Sequence, residues 1–354
     1  MASFSTSTPQ RVSNKGSATT TTTTTTTRTT LDALHPDLQS HILTRLDGQT
    51  LTYASCVSSQ FHAFCTEESL WTDICLSTWP STNDPRVRQL ISTFPNGPRS
   101  FFSDSFPLLV PSSESNLLPP TSPCSSSPEL LISAVDIQYR DELIFSKVQE
   151  TETQSRWFRC SPFRLDFLDI KDVVPTPIRA TAADTCQDIS DGLTLSWITI
   201  DPTGLRAANL SSWKPVSVQR HWLSGEIQAR FATILAGDRK STEFVQCGVV
   251  VTCGACEGGE MMQVREIYLQ VEDMEGMNLN GMDSLGILRK AMRGEGGKRM
   301  KRRGEEGKQR YEEYLRLQTE RKERKLRREG RLDAICIAFG FSIVAAFWAL
   351  LLFR

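Results

Sequence analysis

Between positions 34 and 71, apolar residues fall at Leu34, Leu38, Ile42, Leu46, Leu51, Ala54, Val57, Phe61, Phe64, Leu70 and Trp71. Spacings of three and four recur from Leu38 to Leu46 and from Ala54 to Phe64, one stripe for each short amphipathic helix. Pro36 suits a first helical turn, where its missing N–H costs nothing, and Asp47-Gly48 predicts a stop. Two or three short helices follow, too small a unit to bury a sufficient core alone. So much apolar surface on a helical hairpin calls for a partner. Arg86 to Ile91 predicts a further short helix, and Phe94 to Pro98 a turn.

From Leu130 the period changes from helical to alternating. The segments LISAVDIQY, ELIFSKVQE, RWFRCSPFRLDFL, LTLSWITI, SVQRHWL, EIQARFATIL, FVQCGVVVT and MQVREIYLQV are rich in β-branched and aromatic residues. Strong turn signals separate them, notably Asp201-Pro-Thr-Gly204. That pattern predicts an antiparallel sandwich or barrel over residues 129–288. The last pattern is uninterrupted. Residues 334–353 run from Ala334 to Phe353, AICIAFGFSIVAAFWALLLF, without a charge. At ~1.5 Å per residue such a helix is ~30 Å long, the thickness of a bilayer core.

Charge sharpens the picture because it is segregated. The chain of 354 residues has a net charge of −1, yet residues 289–331 hold 18 Lys or Arg against 8 Asp or Glu. The remainder carries 22 basic and 33 acidic residues. Within the basic segment, Glu306–Arg310, Glu312–Arg316, Glu320–Arg324 and Glu323–Arg327 are spaced as i,i+4 pairs, which predicts a charged helical stalk over residues 289–332. A basic flank ahead of an apolar span favours the cytosolic side for everything before it. With only Arg354 after it, the span reads as a tail anchor over residues 333–354. The endoplasmic reticulum is the expected membrane; the nucleus is the alternative, given the basic run from Lys298 to Arg303. Residues 1–30 are Ser/Thr-rich, with unbroken threonine from Thr19 to Thr27, and residues 111–128 are rich in Pro and Ser. The first reads as a disordered tail and the second as a linker.

The pattern L-x-P-D-L…I-L…L-D…L…V-S-x-x-F…L-W resembles an F-box, the module that docks substrate receptors on the Skp-type adaptor of SCF ubiquitin ligases. His35 separates what is usually an adjacent Leu-Pro pair, and Phe61 stands where Trp is common. Residues 77–109 and the segment QETETQSRWFRCSPFRLDFL are similar to a group of plant F-box proteins with a β-rich C-terminal half and a hydrophobic tail. A weaker likeness to phloem-lectin-type sandwiches points the same way. The resemblance implies a three-helix F-box within residues 31–110. It also implies adaptor contacts through Leu34, Pro36, Leu38, Ile42, Leu43, Leu46, Leu51, Val57, Phe61 and Trp71. The fold class expected is α+β multidomain: F-box, antiparallel sandwich-like domain, charged helix and one transmembrane helix.

Candidate chemistry is sparse. Ten cysteines without a repeating framework read as reduced thiols. Cys253-Gly-Ala-Cys256, with Cys247 nearby, has half the spacing of a zinc site, and nothing downstream completes it. No catalytic motif, metal site or cofactor fingerprint is expected, and neither aromatic interleaving nor a nucleic-acid-binding fold accompanies the basic residues. His221 beside Trp222 could stack a sugar or peptide; a half-buried strand pair is the plainer reading. Trp157, Trp197 and Trp213 read first as core and only second as a ligand platform. The function expected is a non-enzymatic, membrane-anchored substrate receptor. It would bind a Skp-type adaptor and, through it, cullin and RING subunits, and recruit a protein or glycoprotein target. The alternative is a membrane-anchored lectin-like binding protein whose helical hairpin is only structural.

Overall fold

His35 opens the first helix. Its Nδ1 accepts the Asp37 N–H at 3.3 Å, and Pro36 occupies the first turn of α1 (Pro36–Leu43) as its fixed φ favours. The structure is a computed structural model that describes residues 34–111, 129–169, 171–180, 185–237, 243–256, 258–294, 297–300 and 304–353. The expected N-terminal tail and linker positions 112–128 lie outside the described residues. Contacts divide the chain into two units, Met1–Leu46 and Asp47–Arg354.

In the second unit, Asp47 caps a helix instead of ending one: its carboxylate accepts the Thr50 N–H at 2.8 Å and starts α2 (Gly48–Ala54). Ser58 caps α3 (Ser59–Phe64) in the same way, and α4 (Glu68–Thr78) follows. A 3-10 turn, Pro80–Asn83, leads to α5 (Pro85–Ser92), whose N-terminal N–H groups are taken by Asp84. The turn expected near Phe94 continues into a further helix, α6 (Gly97–Ser105), with Gly97 at φ +55° making the entry.

The strand region begins with β1 (Leu108–Pro111), β2 (Leu130–Tyr139) and β3 (Glu142–Glu152). The segment from Arg156 to Leu168, expected as one strand, splits instead. Ser155 caps the short helix α7 (Arg156–Cys160), Pro162 interrupts, and β4 (Arg164–Asp166) is what remains of the strand. Then come β5 (Val174–Arg179), α8 (Thr185–Gly192), β6 (Leu193–Asp201), β7 (Arg206–Asn209) and β8 (Ser217–Arg220). The chain continues through β9 (Ile227–Ala236), β10 (Phe244–Ala255), β11 (Met261–Asp273), α9 (Gly281–Met292), β12 (Gly297–Met300) and α10 (Gly304–Leu352). The turn at Asp201-Pro-Thr-Gly204 forms as expected: the Asp201 carboxylate accepts the Thr203 and Gly204 N–H groups at 3.0 and 2.9 Å.

Two antiparallel sheets face one core. One runs β3-β2-β6-β7; the other runs β4-β11-β10-β9-β8, with β5 also on β11. Alternate residues point inward: Val135 and Ile137 from β2, Trp197 from β6, Phe231 from β9 and Val249 and Val251 from β10. Phe167 meets Trp197 edge-on at 4.6 Å. On its outer face the larger sheet carries α10. Tyr311 packs with Val216 and Ala232, and Tyr314 with Ile234 and Met274. The Tyr314 hydroxyl donates to the Asp273 carbonyl at 2.8 Å. The expected solvated stalk is therefore docked over its first turns. Its later pairs include Arg324–Glu320 at 3.6 Å and Arg327–Glu323 at 3.2 Å. Arg316 reaches forward to Glu320 instead of back to Glu312.

Candidate functional site

On α1 the apolar side chains diverge. Leu43 is buried, as is Gln39, whose amide donates to the Leu34 carbonyl at 3.1 Å. Pro36, Leu38 and Ile42 are exposed, Leu38 to 53% and Ile42 to 40%. Leu34 and Leu46 are intermediate. Exposed large aliphatics spaced by four on one helix are the ingredients of a docking face.

In the second unit Val57 is 74% exposed, while Leu51, Phe61 and Trp71 are buried in the chain's own interior. Trp71 donates its indole N–H to the Cys65 carbonyl at 2.7 Å and lies under the Arg99 guanidinium. Phe102 of α6 is the hub of the packing: its ring sits 5.3 Å from Trp71, 5.4 Å from Trp79 and 4.9 Å from Phe106. Gly48 closes over the same ring, where any β-carbon would collide with Phe102.

Helices α4 to α6 are tied to the sandwich by two buried carboxylates. Asp136 of β2 accepts the Ser81 N–H at 2.8 Å, the Ser81 hydroxyl, and the Ser146 hydroxyl at 2.7 Å. Burial pushes its carboxyl above the ordinary range, and these three donors act against that shift. Asp104 of α6 meets Arg206 at 3.3 Å and accepts the Ala207 N–H at 3.4 Å. No local signal in the sequence pairs Ser81 with Asp136, 55 positions away; the link exists only once the 3-10 turn packs on β2.

The F-box-like family matches residues 32–77. F-box protein At2g27310 of Arabidopsis thaliana is 45% identical over 343 residues, covering 92% of this chain and 97% of the relative. This chain belongs to the F-box proteins. F-box protein At3g44326 of Arabidopsis thaliana is 46% identical over 331 residues, 90% of this chain and 88% of the relative. Probable F-box protein At2g36090, from the same plant, is 47% identical over 317 residues, 88% and 90% of the two chains. No solved structure matches.

In this F-box protein the remaining sequence candidates fall in three places. Cys247 and Cys253 lie inside β10, and burial pushes both thiols up to about 12; Cys256 sits beyond the strand's end. Among the described residues no group of three or more His, Cys, Asp or Glu is placed to hold a metal ion. Trp197 is core as expected, but Trp157 is not core and Trp222 is not the half-buried strand residue expected. They are 82% and 87% exposed, on α7 and in the loop after β8. Strand alternation misplaces both, because Ser155 starts a helix and β8 stops at Arg220. Trp213 is intermediate, with φ +73°. Finally, the apolar stretch forms the C-terminal part of α10, long and apolar enough to cross a membrane and exposed throughout.

Proposed function

We propose that this F-box protein is the target-recognition subunit of an SCF-type ubiquitin ligase, held at a membrane by the apolar end of α10. F-box proteins are in general non-catalytic substrate adaptors, so ubiquitin chemistry belongs to the cullin and RING subunits reached through a Skp-type adaptor. This chain supplies proximity, raising the effective concentration of a target near the ubiquitin donor. The observation that carries the reading is the exposed aliphatic face of α1, Leu38 and Ile42, inside the segment the F-box-like family matches. Pro36, Leu38, Ile42 and Val57 are proposed to touch the adaptor, with Leu34 and Leu46 at the margin. Leu43 is buried beside the exposed face of α1, and Leu51, Phe61 and Trp71 act from the interior of the second unit by holding its helices in place.

The buried carboxylates give the receptor its stiffness. Asp136 and Asp104 fasten the helices that follow the F-box to β2 and β7, so a target on the sandwich would be held at a set position relative to those helices. Residues 31–110 and 129–288 then act as docking and target-binding parts, residues 289–332 as the stalk and residues 333–354 as the anchor. The membrane is proposed to be the endoplasmic reticulum, with the sandwich on its cytosolic side, because 18 basic residues precede the span in residues 289–331.

Changing Leu38 and Ile42 together to Asp tests the docking face without removing interior packing. Co-purification of Skp-type adaptor and cullin should be lost while the thermal transition stays within a few degrees of the parent. Undiminished co-purification would refute adaptor docking through α1.

A further inference from the structure

The loop His221–Glu226 joins β8 to β9 and is built to hold two large apolar side chains in water. His221 N–H donates to the Glu226 carbonyl at 2.7 Å, and Gly225 N–H to the His221 carbonyl at 2.9 Å. Gly225 takes φ +71°, a turn conformation that costs other residues strain. Side chains add to the frame: the Ser224 hydroxyl donates to Glu226 at 3.1 Å, and Arg265 clasps Glu226 at 2.9 Å. Arg220 donates to the Gly225 carbonyl at 3.2 Å. Inside this frame Trp222 is 87% and Leu223 74% exposed. Neither contributes to the core. A rigid loop presenting Trp beside Leu avoids most of the ordering cost of binding, and Trp is the side chain most often dominant at protein interfaces.

The path of α10 decides between a membrane and a protein as the occupant. Gly307 approaches Ser212, Tyr311 lies on Val216 and Ala232, and Tyr314 on Ile234 and Met274. Further on, Lys325 pairs with Glu275 at 3.5 Å. The helix therefore crosses the sheet toward the end that carries Ala236, Phe244 and Asp273, and leaves there. Those three residues share one end because Phe244 pairs with Ala236 and Val245 with Asp273. The His221–Glu226 loop lies at the other end, next to Ile227 and Cys253. Ile227 to Ala236 spans ~30 Å of strand. An anchor leaving at one end puts Trp222 and Leu223 on the side facing away from the bilayer. Charge narrows the partner further. Arg265 is spent on Glu226, whereas Arg220 makes no ion pair among the described residues and faces outward beside the tip.

We propose that Trp222 and Leu223 form the target-docking tip of this receptor, inserting into an apolar, acid-rimmed pocket of a cytosolic protein. The proposal rests on the substrate-receptor reading. Its test uses the full-length chain expressed in cells, with ubiquitin-remnant proteomics as the readout. Proteins whose ubiquitination rises with the parent chain, and not with the Leu38→Asp/Ile42→Asp variant, define the target set. In Trp222→Ala/Leu223→Ser that rise should fall roughly tenfold or more, with adaptor co-purification and membrane fractionation unchanged. An undiminished rise would overturn the proposal. A second measurement addresses the lipid alternative: the full-length parent and Trp222→Phe are compared in liposomes containing dibrominated phosphatidylcholine. Equal tryptophan quenching is expected, and quenching that depends on Trp222 would overturn the proposal in favour of a membrane contact. If the parent chain binds adaptor and yet raises no target set, the receptor reading fails first and this proposal with it.

Discussion

Replacing Gly48 with Ala puts the packing of the F-box helices under direct test. Gly48 is not in the left-handed region, so backbone freedom is not why glycine stands there. By helix propensity alone Ala should stabilise α2, by up to ~1 kcal/mol. The tertiary contact opposes this. An added β-carbon would run into Cζ of Phe102, with Cε1 and Cε2 at 2.7 and 2.8 Å. The ring has no room to retreat, because Trp71, Trp79 and Phe106 hold it at 5.3, 5.4 and 4.9 Å. Overpacking of this kind costs ~1–3 kcal/mol. A net loss of about 1–2 kcal/mol is expected after the propensity gain is offset. Denaturant unfolding of the detergent-solubilised full chain measures it. The double variant Gly48→Ala/Phe102→Leu separates causes: the smaller side chain makes room, so the two losses should add to less than their sum. A Gly48→Ala protein as stable as its parent would refute the packing argument, as would strictly additive losses.

Asp136→Ala leaves the buried Ser81 N–H without its acceptor and should cost ~1–3 kcal/mol; amide exchange over the Pro80–Asn83 turn should accelerate, and unchanged protection there would contradict the proposed link. Because burial raises the native Asp136 carboxyl, the folded state binds its proton more readily than the unfolded one. Its contribution to stability is therefore present at low pH and lost as pH rises through the raised native value. Asp136→Asn should remove that part of the pH slope, readable as a flatter plot of unfolding midpoint against pH. Tyr314→Phe deletes one hydrogen bond to Asp273 and should cost ~1 kcal/mol, with faster amide exchange in the first turns of α10 as its signature. Val344→Arg places a charge mid-span at ~2.5–3.5 kcal/mol and should move part of the protein into the soluble fraction. If the unaltered chain itself washes from membranes in alkaline carbonate, the anchor reading fails.

Periodicity located α1, most of the long strands of the sandwich and the apolar end of α10, but it ran one helix over Ala54–Phe64, where α2 ends at Ala54 and Ser58 caps α3. The elements it located depend on spacings of two, three and four, which are local properties. Family membership was legible for the same reason: Leu34, Pro36, Leu38 and Ile42 lie within one short stretch of chain. Capping was legible in principle, yet Asp47 and Ser155 serve equally as turn residues and as helix starts. Which role wins depends on whether the following residues find something to pack against. Folding alone sorted the F-box positions into exposed Leu38, Ile42 and Val57 and buried Leu51, Phe61 and Trp71. The same holds for Trp197, buried, against Trp222, exposed. A hydrophobic residue carries no mark of which side its neighbours will cover. The contacts that join the parts, Ser81 to Asp136, Asp104 to Arg206 and Tyr314 to Asp273, span 55, 102 and 41 positions. Each donor and acceptor could have been met by water, and only the closed sheets and docked helices exclude water enough to pair them.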